Sequence, residues 1–294
     1  MACGITITDT LISLAVMSDD GEFVFENSCE TPKDYDAILG SLTQMVTSLP
    51  ASVSTDSIGL SMAGFFNPQT SAVHLPTFPA LHHKPLKHDM QARLGRAVTC
   101  ISFGQALAAS EMNKDNPSSV FALHLDKDVS GGMMLGRTLV TGLHGLSGNW
   151  GHISLPWPVD YETDGRVCAC GRTGCLAHFS SLSGLEHDYQ LLTNQALSAD
   201  RILSQALAGD IVAESTVQVL EDRIARGLAL VINLIDPEHI ILGGRLAALD
   251  RMAQNIPRKW PGYCDVRPIT TKLTVLHDYQ AAVLSGACLA GRHP

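Results

Sequence analysis

The sequence predicts an α/β protein with mixed sheets. Segments rich in β-branched residues alternate with segments of helical periodicity in both halves of the chain, which is the pattern of α/β folds. The turn signal Asp19-Asp20-Gly21 separates two strand-like segments near the N-terminus and predicts a hairpin, so part of the sheet is antiparallel. The chain has 294 residues, of which 45% are hydrophobic. This length is sufficient for two domains of ordinary size.

The first half of the chain begins with strand material and continues through an amphipathic helix. Residues 4–17 are rich in β-branched and apolar residues, and residues 22–27 alternate as a returning strand does. Apolar residues at helical spacing predict a helix over residues 33–48. The later segments are a strand over 57–62, a short helix over 87–94, a strand over 98–102 and a helix over 105–112.

The second half has longer helices and a loop-rich middle. Two strands are expected over residues 120–125 and 132–135, and a further buried strand over 240–242. Helices are expected over 202–209, 216–234 and 279–290. The longest apolar run near the end is interrupted by Asn233 and closed by Asp236-Pro237, so no stretch approaches the length of a membrane span.

Composition excludes several partners. The formal net charge of −9 opposes nucleic-acid binding, which depends on Lys and Arg neutralising phosphates. We expect no membrane partner and a cytoplasmic location, since the N-terminus lacks a basic segment followed by an apolar one. Five cysteines are scattered among apolar neighbours and are expected to be reduced core residues, namely Cys3, Cys29, Cys100, Cys264 and Cys288.

The other three cysteines and one histidine form the most informative motif of the chain. Cys168, Cys170 and Cys175 follow His152 within a short segment, and three thiolates with one imidazole satisfy the tetrahedral preference of Zn²⁺. Gly171 and Gly174 allow the tight turns that bring these ligands together. The sequence therefore predicts a structural zinc site, and the alternative is that these cysteines are small buried residues.

This motif resembles that of the ROK family, which contains bacterial sugar kinases and sugar-responsive repressors. The family pattern is Gly-Glu-x-Gly-His followed by Cys-x-Cys-Gly-x-x-Gly-Cys-Leu-Glu, and this chain has Gly148 to His152 followed by Cys168 to Ala177. Weaker similarities follow the family order, at residues 139–145, 233–237, 240–244 and 286–287.

The resemblance implies two actin-like (ribonuclease-H-like) domains around a central cleft in which a hexose and ATP meet. It implies a small N-terminal α/β domain of residues 1–103 plus 279–294, and a large zinc-containing domain of residues 104–278. It also favours a homodimer.

The catalytic base of the family is missing from this sequence. The family pattern Asn-Asp-x-Asn-x-x-x-x-x-Glu corresponds to residues 102–111, with Glu111 setting the register, and its aspartate becomes Phe103. A sugar kinase needs a carboxylate to accept the hydroxyl proton, and a phenyl ring accepts none. The alternative is that the register is shifted and another loop supplies an acid.

The phosphate-binding segments have also changed. The family opening Asp-x-Gly-Gly-Thr-Lys corresponds to residues 6–11, where Asp9 replaces a glycine, and the second loop, at residues 126–130, contains Asp126 and Asp128. Like charges ~4 Å apart cost about 4 kcal/mol at a dielectric of ~20, about half of a micromolar affinity. Binding of ATP and Mg²⁺ is therefore doubtful, and Gly243 and Gly244 remain as weak nucleotide-binding candidates.

The expected sugar contacts are only partly retained. Two glutamates that bind sugar hydroxyls in the family correspond to Asn149 and Ala177, and an Asn-containing segment of the small domain corresponds to Pro76-Thr77-Phe78. The remaining candidates are Asn149, which can donate and accept hydrogen bonds, together with His152 and Thr77. The role of His152 is divided between metal and sugar.

Two further features stand outside the motifs. The segment of residues 153–167 is longer than the family leads us to expect. It either caps the cleft, forms a partner surface or is a solvated loop, and we favour the solvated loop. The histidines His82, His83 and His88 lie in a polar segment without nearby thiols or carboxylates, and we expect surface residues there rather than a second metal site.

The losses fall on the base, both phosphate loops and two sugar carboxylates, while the zinc ligands and turn glycines remain. This pattern favours a pseudokinase that binds a sugar derivative or a protein partner, because function resides in sites rather than in the fold. The first alternative is an active ATP-dependent kinase of a hexose or N-acetylhexosamine. The second is a ROK regulator acting on transcription indirectly, since we expect no DNA-binding domain before the first strand.

Overall fold

The computed structural model of the chain describes residues 1–51, 53, 55–112, 119–163 and 165–292. Its strands are β1 (Ala2–Ile7), β2 (Leu11–Met17), β3 (Phe23–Glu30), β4 (Ser57–Met62), β5 (Phe65–Asn67), β6 (Ala72–His74), β7 (Ala97–Ser102), β8 (Ser119–Leu125), β9 (Val129–Leu135), β10 (Thr138–Val140), β11 (His239–Gly243) and β12 (Lys272–Val275). Its α-helices are α1 (Tyr35–Thr47), α2 (Leu86–Leu94), α3 (Phe103–Ala109), α4 (Leu176–Ser180), α5 (Leu182–Thr193), α6 (Ala199–Leu207), α7 (Ile211–Ile235), α8 (Met252–Lys259) and α9 (Tyr279–Arg292).

Both large sheets are mixed, which confirms the predicted fold class. The first has the order β3-β2-β1-β4-β7 and the second the order β10-β9-β8-β11-β12. In the first sheet, β1 is antiparallel to β2 and parallel to β4. In the second, β10 is antiparallel to β9, whereas β11 is parallel to β12. Parallel neighbours require crossover connections, which the helices between them provide.

The chain divides into two compact units. The first contains Met1–Ala122, Ser130–Gly148 and Asp278–Pro294, and the second contains Leu123–Val129 and Asn149–His277. The C-terminal helix α9 belongs to the same unit as the N-terminal strands. The division differs from the expected boundary after residue 103, because residues 104–122 and 130–148 belong to the first unit.

Helix α1 forms where the periodicity predicts it. The Asp34 carboxylate accepts a hydrogen bond from the Ala37 amide at 2.9 Å and caps the helix N-terminus. The side chains that share one face are buried, namely Ile38, Leu39, Leu42, Met45 and Val46. They join the core of the first sheet, so burial of this face stabilises both elements.

Several elements were not predicted from the sequence. These are the β5–β6 hairpin, strands β10 and β12, and helices α4, α5 and α8. Strands of three or four residues carry too little alternation to be recognised. Among the described residues, no helix combines the length and the apolar character that crossing a membrane would require.

Helix α9 packs against the first sheet at glycines. A Cβ built on Gly59 would lie 1.7 Å from the Ala287 carbonyl oxygen, and one on Gly286 would lie 1.8 Å from the Ala106 carbonyl oxygen. The Ser57 hydroxyl donates to the Gly291 carbonyl oxygen at 2.5 Å. Backbone therefore approaches backbone at these positions, and a side chain would separate α9 from β4 at Gly59 and from α3 at Gly286.

We predict that Gly59→Ala destabilises the chain by at least about 1–3 kcal/mol, because the added methyl group overpacks the contact with Ala287. Urea denaturation measures the change in the free energy of unfolding. Gly40→Ala is the matched control, since a Cβ there meets nothing within 4 Å. Gly40 lies in the interior of α1, so Gly40→Ala should leave the stability of the chain unchanged or raise it by about 0.5–1 kcal/mol. Equal effects of the two substitutions would contradict the proposed packing constraint.

Candidate functional site

The four predicted zinc ligands converge in the second unit. Their ligand atoms all lie within 4.8 Å of one another. The Cys168 Sγ is 3.5 Å from the His152 Nδ1, and the Sγ atoms of Cys170 and Cys175 are 3.6 Å apart. Tetrahedral zinc with bonds of about 2.3 Å to sulfur places two sulfurs about 3.8 Å apart. The residues therefore fit a tetrahedral ion without rearrangement of the backbone.

Backbone turns hold the thiols in this arrangement. The Cys168 amide donates to the Arg172 carbonyl at 2.8 Å, and the Gly171 amide donates to the Cys168 carbonyl at 2.8 Å. Gly171 and Gly174 have φ of 83° and 72°, in the left-handed region that glycine enters without strain. The predicted requirement for glycine at these two positions agrees with their backbone conformation.

His152 is positioned by its neighbours in a short 3₁₀ turn, Trp150–His152. Trp150 is buried against α7, where a Cβ on Gly227 would lie 2.2 Å from the indole ring. Burial, with a smaller effect of the positive Arg172, lowers the pKa of His152. The imidazole is therefore neutral at neutral pH, which is the form that binds a metal.

A buried charge network lies beside the metal ligands. Glu162, only 3% exposed, accepts hydrogen bonds from Arg223 Nε at 2.8 Å and from Arg226 Nη2 at 2.6 Å. Arg223 also pairs with Asp188 of α5, and Asp188 pairs with Arg166 at 3.1 Å. This network was not predicted from the sequence, because its members are separated by long stretches of chain.

The network corrects the interpretation of residues 153–167. Leu155, Glu162 and Arg166 are buried, so the segment is anchored rather than a solvated excursion. Its tip remains exposed at Trp157, Val159 and Tyr161, and residue 164 lies outside the described residues. The sequence offered one indication of this anchoring, namely Glu162 within an apolar, proline-containing segment.

Phe103 occupies the first position of α3 and is 7% exposed. Ser102 caps this helix, and its hydroxyl accepts from the Gln105 amide while the Gln105 side chain accepts from the Ser102 amide. The helix therefore begins at 103 and not at the predicted 105. The Gln105 Nε2 also donates to the carbonyls of Gly145 and Ser147, each at 3.3 Å. Ser102 and Gln105 thus satisfy backbone groups at the start of α3, and Gln105 also satisfies the carbonyls of Gly145 and Ser147.

The first phosphate segment is a closed turn between β1 and β2. The Thr8 hydroxyl accepts from the Leu11 amide at 2.8 Å and from the Thr10 amide at 3.3 Å. The Thr8 amide donates to the Leu11 carbonyl at 2.9 Å, and the Thr31 hydroxyl donates to the Thr8 carbonyl at 2.9 Å. Three amides that a phosphate could approach are therefore bonded within the protein.

In the second phosphate segment, Asp126 is held by Arg245. The Arg245 Nη2 lies 2.7 Å from the Asp126 Oδ1, and the Arg245 Nε lies 3.1 Å from both carboxylate oxygens. Burial raises the pKa of Asp126, but the hydrogen bonds from Arg245 and the Lys127 amide outweigh burial and hold it below its usual value. Burial lowers the pKa of His124 to about 4, so this imidazole supplies no positive charge for a phosphate.

Gly243 and Gly244, the weak nucleotide-binding candidates, lie at the end of β11, and packing explains the glycine at position 244. Gly243 ends β11, and Gly244 has φ of 98°. A Cβ on Gly244 would lie 2.3 Å from the Leu125 carbonyl oxygen, so the backbone passes close to β8 at this point. This contact explains Gly244 without a nucleotide.

The predicted sugar contacts lie in different parts of the fold. Asn149 and His152 are joined by the 3₁₀ turn, where the His152 amide donates to the Asn149 carbonyl at 3.2 Å. Ala177, which replaces a family glutamate, lies in α4. It is close to Gly151, since a Cβ built on Gly151 would lie 3.3 Å from the Ala177 methyl group. Thr77 is exposed in the turn between β6 and α2 of the first unit.

The three histidines that were expected at the surface have different surroundings in the structure. His82 and His83 lie together with His74 of β6, and their ligand atoms are all within 4.8 Å of one another. His88 does not belong to this cluster, and its Nδ1 lies 3.1 Å from the Asp89 carboxylate. His83 and His88 are exposed, as expected, whereas His82 is half-buried. The Asp89 carboxylate beside His88 corrects the expectation that no carboxylate lies nearby.

Comparison with known proteins identifies the family. The model of the ROK family matches residues 2–290, so the chain belongs to the ROK family. It is 30% identical over 271 residues to an N-acetyl-D-glucosamine kinase of Pasteurella multocida, covering 89% of each chain. It is 28% identical over 280 residues to an N-acetyl-D-glucosamine kinase of Shigella boydii, covering 92% of this chain and 91% of the relative.

A solved structure shares the fold as a whole. The ROK hexokinase from Thermus thermophilus superposes with a TM-score of 0.85 at 22% identity, covering 99% of this chain and 98% of that one. This similarity confirms the actin-like (ribonuclease-H-like) fold predicted from the zinc motif and its flanking segments.

We predict that Glu162→Gln destabilises the chain by about 3–5 kcal/mol, because it removes the carboxylate that Arg223 and Arg226 share in a buried site. Chemical denaturation at pH 7 measures this loss. Glu26→Gln, at an exposed position of β3, is the control and should change stability by less than about 0.5 kcal/mol. A loss at Glu162 no larger than that of the control would contradict the role of the network.

The pH dependence gives a second readout of the same carboxylate. Burial raises the pKa of Glu162, but hydrogen bonds from Arg226, Arg223 and the Val159 amide hold it below the ordinary value of 4.5. The stabilisation is therefore present above about pH 4.5 and is lost as the pH falls through the lowered pKa. We expect the free energy of unfolding to fall more steeply below pH 4.5 in the wild type than in Glu162→Gln.

Proposed function

We propose that this ROK-family chain is a pseudokinase that binds an amino-sugar derivative and does not transfer phosphate. The observation that carries this proposal is Phe103 at the family's base position. General base catalysis needs an acceptor within hydrogen-bond reach of the sugar hydroxyl, and the sequence from Gly95 to Ser110 contains no carboxylate. Ser102 and Gln105 support the register, because they form the capping box on either side of Phe103.

The state of the phosphate segments supports the same proposal. Triphosphate binding depends on free backbone amides and on nearby positive charge. The amides of Thr8, Thr10 and Leu11 are already bonded within the β1–β2 turn. Arg245 is paired with Asp126, and this ion pair must break before the arginine can compensate a phosphate charge. ATP with Mg²⁺ is therefore expected to bind weakly.

The ligand class follows from the relatives. Curated proteins 30% and 28% identical to this chain are named N-acetyl-D-glucosamine kinases, which favours an N-acetylhexosamine or a derivative of one. Asn149, His152 and Thr77 remain the proposed sugar contacts, with Asn149 able to donate and accept. Ala177 provides no polar group, so the affinity is expected to be lower than with two glutamates.

The homodimer, a protein partner and a cytoplasmic location remain parts of this proposal. None of the eight cysteines forms a disulfide bond, as is usual in reducing compartments.

An active N-acetylhexosamine kinase is the second candidate. The similarity to N-acetyl-D-glucosamine kinases over 89% of the chain favours it, and it requires an acid from a segment other than residues 95–110.

A calorimetric and kinetic experiment separates the two. We expect N-acetylglucosamine to give a binding isotherm that Asn149→Ala weakens, and ATP with Mg²⁺ to give no turnover of N-acetylglucosamine, N-acetylmannosamine or glucose. The N-acetyl-D-glucosamine kinase of Pasteurella multocida serves as the active control in the same assay. Turnover above ~1 s⁻¹, an ordinary enzymatic value, would contradict the pseudokinase proposal. The absence of any sugar isotherm would contradict the proposed ligand class.

We also propose that His152, Cys168, Cys170 and Cys175 hold a structural Zn²⁺, which would stabilise the second unit by joining the loop to α4 and the 3₁₀ turn. The support is the fit of the four ligand atoms to a tetrahedral ion. Binding of such an ion contributes directly to folding free energy.

Elemental analysis and thermal denaturation test the zinc proposal. We expect about one equivalent of zinc in the purified protein, and loss of the metal with a lower Tm in Cys170→Ser. Cys29→Ser, at a half-buried cysteine of β3 in the other unit, should retain the metal. Purified wild-type protein with less than about half an equivalent of zinc, and a Cys170→Ser variant that melts unchanged, would rule the site out.

A further inference from the structure

Three histidines of the first unit form a cluster that the proposed function does not use. His74 ends β6, and His82 and His83 lie in the segment that returns toward α2. The ring centroids of His82 and His83 are 3.7 Å apart, and that of His74 is 5.1 Å from His82 and 6.0 Å from His83. One ligand nitrogen of each imidazole lies within 4.8 Å of the others.

Backbone hydrogen bonds hold the two segments together at this point. The His83 amide donates to the Val73 carbonyl at 2.8 Å, and the Val73 amide donates to the Lys84 carbonyl at 3.0 Å. His74 stacks on Phe65 of the neighbouring strand, with ring centroids 4.7 Å apart. His83 adopts a left-handed backbone conformation with φ of 62°, unusual for a residue with a Cβ. The cluster is thus set by the local fold rather than by free surface side chains.

We propose that His74, His82 and His83 form a second metal site, which binds a divalent first-row transition-metal ion such as Ni²⁺, Co²⁺ or Zn²⁺. Imidazole nitrogen is a preferred ligand of these ions. Nitrogens around a tetrahedral ion with bonds of about 2.1 Å lie about 3.4 Å apart, whereas the three nitrogens here lie within 4.8 Å of one another. The rings of His82 and His83, whose planes differ by 32°, must therefore turn so that both nitrogens face the ion. His83 is exposed, which leaves room for this adjustment and for water as a further ligand.

One contact sets the expected strength of the site. The Leu75 amide donates to His82 Nδ1 at 3.2 Å, so this nitrogen carries the lone pair of the neutral ring and Nε2 carries the proton. An ion bound at Nδ1 displaces the Leu75 amide. We therefore expect a Kd on the order of micromolar, weaker than that of the thiolate site.

The site lies at the base of the turn that carries Thr77. His74 and His82 flank residues 75–81, and the turn is closed internally by hydrogen bonds from the Phe78 amide to the Leu75 carbonyl at 3.0 Å and from the His82 amide to the Phe78 carbonyl at 3.2 Å. An ion that links His74 to His82 and His83 joins both ends of this turn. Metal binding would therefore reduce the conformational freedom of Thr77, whether or not Thr77 contacts a sugar.

The test is a titration of the full chain, purified with its zinc content measured, with Co²⁺ or Ni²⁺. Native mass spectrometry counts the ions, calorimetry gives the Kd, and the absorption spectrum of bound Co²⁺ identifies the ligands. Binding at the histidines gives weak visible bands without the intense near-ultraviolet thiolate-to-cobalt band. This last feature separates the new site from metal exchange at Cys168, Cys170 and Cys175.

His83→Ala is the main variant, because the side chain is exposed and its loss should leave the fold intact, as circular dichroism will verify. We expect His83→Ala and His74→Ala each to weaken Co²⁺ binding about tenfold or more. His88→Ala, which removes a nearby histidine paired with Asp89 instead, should bind as the wild type does. The proposal would be overturned if the wild type bound no Co²⁺ ion whose spectrum lacks the thiolate band. It would also be overturned if His88→Ala weakened Co²⁺ binding as much as His83→Ala does. Neither result depends on sugar binding or on the thiolate site.

Discussion

The organisation of the second unit depends on the buried ion pairs that the Glu162 carboxylate forms with two arginines. The carboxylate joins the segment 153–167 to helix α7 through Arg223 and Arg226. Asp188 extends the network to α5 and to Arg166, whose carbonyl accepts from the Gly174 amide at 3.3 Å. The loop that contains Cys168 to Cys175 is thereby connected to α7, the longest helix among the described residues. Ion pairs of this kind add little net stability over apolar residues, but breaking one is costly, so the network fixes position more than it adds free energy.

The altered motifs share a physical feature: groups that would contact ATP bond to the protein itself. The Thr8 hydroxyl occupies two amides of the first turn, and Arg245 neutralises Asp126 in the second. At the start of α3, Ser102 and Gln105 satisfy backbone groups around Phe103. These bonds satisfy the polar groups of both segments within the protein. The bonds must break before the same groups can contact a phosphate.

The scaffold is retained while these local sites differ from the family pattern. The fold superposes on a ROK hexokinase with a TM-score of 0.85, and the glycines at the close contacts of β4 with α9 are present. A family fold therefore carries no guarantee of the family's chemistry, because catalysis depends on a few side chains placed on that fold. The cluster of His74, His82 and His83 shows the converse, since the same backbone offers a place for chemistry outside the family motifs.

The sequence alone determined the features that depend on local spacing. Helix α1, strand β4 and the four proposed metal ligands follow from periodicity or from residues close together in the chain. Only the tertiary structure decided which distant groups meet: Glu162 with two arginines of α7, Asp126 with Arg245, and His74 with His82 and His83. Local propensity acts over a few residues and leaves a pattern in the sequence. Pairings across the fold depend on how sheets and helices pack, and no spacing rule records them.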